Sequence, residues 1–169
     1  MPLRLIWGRV NNTHFQRICC AYIDFNINFF GNTYSKVQVN TTGAIYLNND
    51  LNSSAHITPL FIHADTSDAK NSTTYGKTVY DNHLAFAVNW INIAPADPSG
   101  SSTDTRRNSF QVILGDRSDV GAGDFDFIFN YDSIEWDNTS NPFSSWPDSY
   151  LGYMTTLSPA TTTDGMSWG

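Results

Sequence analysis

Hydrophobic and polar positions alternate along most of the chain. In YIDFNINFFG, Ile23, Phe25, Ile27 and Phe29 fall on one side while Asp24, Asn26 and Asn28 fall on the other. A period of two predicts a half-buried strand. In KVQVNTTGAIYL, Val37 and Val39 lead into Asn40-Thr41-Thr42-Gly43, and a second apolar run from Ala44 to Leu47 follows. This predicts a β-hairpin in which Gly43 takes the positive φ that such loops need. ITPLFIHAD is apolar but carries Pro59, so an edge strand or irregular crossing segment is expected there.

The second half repeats the pattern. HLAFAVNWINI places Leu84, Phe86, Val88 and Trp90 on one face and Ala85 and Ala87 on the other, where small side chains suggest close approach of a second layer. NSFQVILG aligns Phe110, Val112 and Leu114; DFDFIFNYDSIEW aligns Phe125, Phe127, Phe129 and Tyr131 as core residues, with Trp136 extending the run. Loops rich in Asn, Ser, Gly and Pro separate these segments, notably APADPSGSSTDTRRN. No stretch sustains a helical period over three turns. Six or more strands with frequent turn signals predict an all-β domain, an antiparallel β-sandwich or a distorted barrel.

Composition narrows the function classes. Aromatic residues make up 14% of the chain and charged residues 15%, with a formal net charge of -7. Disordered chains lack aromatic and β-branched residues, so a folded core is expected. Nucleic acid and anionic membrane surfaces call for clustered Lys and Arg; here the only basic pair is Arg106-Arg107. No apolar run approaches the roughly 18 residues of a membrane-spanning helix. The start, MPLRLIWGRVNNTHFQ, has basic residues but no sustained apolar stretch of a signal peptide. Cys19 and Cys20 are adjacent and are the only cysteines, so the fold is expected to hold together without disulfides.

Four acids, Asp116, Asp119, Asp124 and Asp126, lie in or beside one inter-strand loop. Calcium takes six to eight oxygen ligands, often from such loops. The competing reading makes Gly121 and Gly123 turn residues and leaves the acids in water, with Arg117 relieving their repulsion. The EF-hand spacing is absent, and no Lys-Ser/Thr follows the glycines as a phosphate loop requires. Glu135 and Asp137 fall on one side of an extended segment, a carboxylate pair of the kind a glycosidase uses. His63, Asp65 and Asp68 have a spacing that a metal could use, or that turn-capping explains. No Ser sits in a nucleophile elbow. Asn11, Asn40, Asn52, Asn71 and Asn138 satisfy the N-x-[ST] sequon; Asn40, Asn52, Asn71 and Asn138 are the candidate glycosylation sites.

Four stretches taken together resemble the nidogen-like extracellular domain, NIDO. They are FNINFFGNTYSKVQVNTTGAIYLN, ITPLFIHADTS, GKTVYDNHLAFAVNWINI and NSFQVILGDRSDVGAGDFDFIFNYDSIEWD, running from Phe25 to Asp137. Gly152-Tyr153 loosely suggests the family's closing strands. Members often carry a denser acidic run where this chain has HADTSDA. The resemblance implies an extracellular β-rich module of matrix and cell-surface proteins, associated with adhesion and carrying no enzymatic activity.

The expectation is therefore a non-enzymatic extracellular interaction module within a multidomain chain. It would recognise a protein or glycan partner through exposed loops and need no cofactor. Residues 1–22 are expected to lie outside the recognised domain, which would occupy 23–169 and be cut short at its C-terminus. The alternative is a calcium-dependent carbohydrate-binding module, with calcium at the Asp116–Asp126 loop. A calcium ion is otherwise not called for.

Overall fold

A computed structural model describes residues 19–47, 55–65, 72–97, 103–140 and 150–154. Asn11, Asn52, Asn71 and Asp68 lie outside the described residues. Nine strands occur among the described residues: β1 (Cys19–Phe29), β2 (Asn32–Asn40), β3 (Ala44–Leu47), β4 (His56–Phe61), β5 (Ser72–Tyr80), β6 (His83–Ile93), β7 (Asn108–Asp116), β8 (Phe125–Ser133) and β9 (Tyr150–Met154). They form two antiparallel sheets, in the orders β1-β2-β3-β4-β9 and β5-β6-β7-β8. The sheets pack face to face without closing into a barrel, so the fold is an all-β sandwich.

Hairpins account for most of the topology, and the turn residues explain them. Phe30-Gly31 and Asp81-Asn82 both take positive φ at two successive positions, the backbone twist that matches two antiparallel strands. Gly43 closes the β2–β3 turn at φ 87°, as the sequence predicts. The Asn40 side chain supports that turn by accepting from Thr42 N at 2.9 Å.

The inward rows interdigitate as the alternation predicts. Ile23, Ile27, Phe29, Val37, Val39, Ile45, Leu47 and Ile57 from the first sheet meet Phe86, Val88, Trp90, Phe110, Val112 and Leu114 from the second. Each such side chain contributes roughly 1.5–3 kcal/mol on burial. Trp90 and Phe110 stack at the centre, their ring centroids 5.1 Å apart. The indole N–H of Trp90 donates to the Asn40 carbonyl at 2.8 Å and ties the two sheets together. On the outer face, Ala85, Ala87 and Ile113 form a separate buried cluster with Ile128 packed against it.

Four expectations need correction. The Pro59 segment is no edge: β4 pairs with β3 on one side and β9 on the other. Proline fits because the β4–β9 register shifts between Thr58 and Phe61, where no ladder N–H is needed from it. Tyr131 is no core residue; it is 37% exposed, because β8 is an edge strand, and its hydroxyl donates to the Pro59 carbonyl at 2.6 Å. Trp136 is buried but lies past the end of β8 at Ser133. Leu84 points inward yet is 49% exposed. Gly152-Tyr153 does lie in a closing strand, β9, and β1 begins at Cys19, ahead of residue 23.

Candidate recognition surface

Strand pairing places the turns after β1, β5 and β7 at one end of the sandwich. The β7–β8 loop is built by its own backbone: Arg117 N donates to Asp124 O at 2.9 Å, Val120 N to Arg117 O at 2.8 Å, and Asp124 N to Gly121 O at 3.0 Å. Asn28 N on β1 donates to Gly123 O at 2.8 Å and anchors the loop to the other sheet. A Cβ on Gly123 would stand 3.0 Å from that of Asn28, and its φ is 82°. Both glycines predicted as turn residues thus sit in a hydrogen-bonded turn.

Arg117 organises the acids. Its Nε donates to Asp119 Oδ1 and its Nη1 to Asp126 Oδ2, each at 3.0 Å. His83 Nδ1 lies 3.8 Å from Asp119. The Arg117 hydrogen bond holds the Asp119 carboxyl below its usual range. Asp119 therefore favours the folded state at neutral pH, and this contribution is lost as pH falls through its folded pKa; solvent screening at this exposed position keeps it small. Asp116 accepts from both the backbone N and the hydroxyl of Ser118, at 3.0 Å each. An open concavity of about 270 Å³ beside the loop is lined by Asn28, Arg117, Val120, Asp124, Phe125 and Asp126.

This donor set suits a guanidinium better than a hard cation. Two of the four carboxylates are bridged by Arg117, and a third is turned onto Ser118. Among the described residues, no group of three or more His, Cys, Asp or Glu has metal-binding geometry. Millimolar calcium is expected to leave the melting temperature of the chain unchanged, whereas Arg117→Ala, which frees Asp119 and Asp126, is expected to acquire a calcium response. Thermal scans with and without calcium test this, and a rise in the wild-type melting temperature would show that the loop binds the ion as it stands.

The opposite end is tied together internally. Arg106 forms a two-pronged pair with Asp104, with Nη2–Oδ2 at 2.6 Å and Nε–Oδ1 at 3.1 Å, and also reaches the Ser140 carbonyl at 3.1 Å. The guanidinium holds the Asp104 carboxyl low. Glu135 Oε2 accepts from Arg107 N at 2.7 Å. Asp137 caps the next turn, accepting from Thr139 Oγ1 and Ser140 N at 2.8 Å each, and these bonds hold its carboxyl low. Glu135 and Asp137 thus satisfy neighbouring backbone and hydroxyl groups, the work of structural carboxylates. His63 N donates to Asn138 Oδ1, and Asp65 N to Ala94 O, so this segment is placed by backbone contacts.

Two sequons fall within the described residues. The Asn40 side chain is half-buried under Thr42. Asn138 is 3% exposed; its Oδ1 accepts from His63 N at 2.7 Å and its Nδ2 donates to Phe61 O at 3.5 Å. A glycan on that nitrogen would have to fit at a buried position. Asn108, fully buried, went unread in the sequence. Its Oδ1 accepts from Glu135 N and Trp136 N at 2.9 and 3.2 Å, and its Nδ2 donates to Trp136 O at 2.9 Å. The signal available was an Asn opening an otherwise apolar run.

The two-sheet scaffold and its hairpin order define an antiparallel β-sandwich module. The family model for the nidogen-like domain matches residues 34–162. The chain belongs to the nidogen-like (NIDO) domain family, an extracellular family of non-catalytic modules. No curated protein and no solved structure matched the chain. Among the described residues, no helix is long and apolar enough to cross a membrane.

Proposed function

We propose that this domain is a non-enzymatic interaction module of a cell-surface or matrix protein, working in adhesion through recognition of an extracellular protein or glycan. Membership of the nidogen-like family carries the reading. Two features of the chain support it. The carboxylates of Asp119, Asp126, Asp116, Asp104 and Asp137 are committed to Arg117, Ser118, Arg106 and the turn at Asp137, where they hold loops in place. The loops in turn stand on a rigid two-sheet scaffold, the usual arrangement for surface recognition. The purified chain coated on a surface is expected to support cell attachment that soluble chain competes away. Attachment no better than to a coated unrelated β-sandwich would refute the adhesive role, and hydrolysis of an oligosaccharide panel would refute the non-enzymatic one.

A further inference from the structure

The β5–β6 hairpin ends at an open corner of the sandwich. On its inward face, Phe86 is 1% exposed and its cross-strand partner Lys77 forms an ion pair with Asp24 of β1. One row further out, the partners Val79 and Leu84 are 60% and 49% exposed. Alternation points these two the same way as Phe86, Val88 and Trp90, so they belong to the core-facing side of the sheet. They lack cover because β1, the edge strand of the first sheet, crosses from Lys77, met by Asp24, to the β7–β8 loop, met by Asn28, and leaves the corner at the β5–β6 turn open. The register that pairs Ala85 with Gly115 brings Asp116 alongside Leu84, and Asp116 pairs with Phe125. The row therefore reads Val79, Leu84, Asp116, Phe125, open at Val79 and Leu84 and closed at Phe125, which packs against Phe29 of β1.

Charge at this end selects the kind of partner. Asp24, Asp81, Asp116, Asp119, Asp124 and Asp126 stand against Lys77 and Arg117, and six carboxylates less two cations leave an excess of four. Both cations are already paired, Lys77 with Asp24 and Arg117 with Asp119 and Asp126. Asp81 and Asp124 are exposed at the turns beside the apolar row. A polyanion such as a sulfated glycan would meet like charge here. A protein segment bearing Lys or Arg around an apolar anchor meets opposite charge at the rim and bare apolar surface at the centre, the arrangement that gives steering and specificity at protein interfaces.

We infer that the overhanging inward face of the β5–β6 hairpin, centred on Val79 and Leu84 and rimmed by Asp81, Asp116 and Asp124, is the docking surface for a cationic protein segment with an apolar anchor. The inference rests on the reading of the domain as an interaction module and adds the surface and the chemistry of the partner.

The probe is a synthetic peptide alternating lysine and leucine, with a lysine–serine peptide, a glutamate–leucine peptide and heparin as comparators, all titrated against the full chain. The lysine–leucine peptide is expected to bind best, and to weaken as salt rises. Val79→Ser with Leu84→Ser is expected to weaken it about tenfold, as loss of a central apolar anchor does. Asp81→Asn with Asp124→Asn is expected to reduce affinity and flatten the salt dependence. Asp132→Asn, which removes one charge near the far end of β8, is expected to change neither. Equal binding of the lysine–serine peptide, an equal effect of Asp132→Asn, or preference for heparin would overturn the inference. Unchanged melting temperatures confirm that the exposed-site variants stay folded. If the Val79/Leu84 variant still supports cell attachment at the wild-type level, this surface is wrong while the module reading stands.

Discussion

Gly43→Ala is expected to be among the most damaging single substitutions in the domain. An added Cβ at this position would lie 1.8 Å from the Leu60 carbonyl oxygen and 2.9 Å from its carbon, with Phe110 Cζ 3.2 Å away on another side. Two of the three obstacles are backbone, so no rotamer change relieves them. The φ of 87° adds a conformational cost of roughly 1 kcal/mol for any L side chain. To make room, the β2–β3 turn must lift off β4, and that motion lengthens the Ile62 N to Thr42 O bond of 3.1 Å. It also pulls on Asn40, whose carbonyl accepts the Trp90 indole N–H. Overpacking and backbone strain together give a loss on the order of 3–5 kcal/mol, or a melting-temperature drop of roughly 8–15 °C. Gly31→Ala is the internal control. Gly31 has the same sign of φ, 81°, but nothing within 4 Å of its virtual Cβ, so it should lose only the conformational part. Equal losses at the two positions would show that close approach to Leu60 contributes nothing.

That contrast also marks how far the sequence could be read. The strands were legible because each core strand is half-buried, and burial on one face writes a period of two directly into the residue order. Ile23, Phe25, Ile27 and Phe29 face inward as their spacing requires. Arg117 between Asp116 and Asp119 was legible for a similar reason, since oppositely charged neighbours in a short loop have little choice of partner. What a strand sits beside was not legible. Pro59 has the local signature of an edge, yet it lies between two strands because β9 returns from almost a hundred residues away and tolerates a register shift.

Leu84 shows the same limit with a functional consequence. Its position in the alternation is correct, and it does point inward. Its exposure depends on the line along which the other sheet crosses, which is set by β1 meeting Lys77 through Asp24 and Gly123 through Asn28. Nothing in HLAFAV encodes that crossing. The docking surface inferred here was therefore hidden within a stretch that reads as ordinary core. The asparagines hide in the opposite way: Asn, Ser and Thr dominate the loops, so Asn108 and Asn138 look like loop residues or sequons although both are buried and fully occupied with backbone groups.

Asn108 carries the second large effect. The segment after β8 has left the ladder, so the polar groups of Glu135 and Trp136 need partners from elsewhere. One amide provides three hydrogen bonds, accepting from Glu135 N and Trp136 N and donating to Trp136 O. The clamp presses the Trp136 ring into the core, where its indole N–H donates to Ile93 O at 2.9 Å. In Asn108→Ala all three backbone groups lose their partner. Orphaned buried polar groups cost about 1–3 kcal/mol each, and partial access of water to Glu135 lowers the sum to roughly 3–5 kcal/mol. Asn108→Asp separates the contributions: the carboxylate still accepts both N–H groups but places an oxygen against the Trp136 carbonyl where a donor stood. It should therefore be folded yet clearly weakened, lying between wild type and Asn108→Ala. Urea unfolding followed by tryptophan fluorescence reads the change as a shifted midpoint at constant slope. If Asn108→Ala moves the midpoint no more than an exposed Asn→Ala change such as Asn32→Ala, the segment at Trp136 is held by its indole alone and the amide clamp is dispensable.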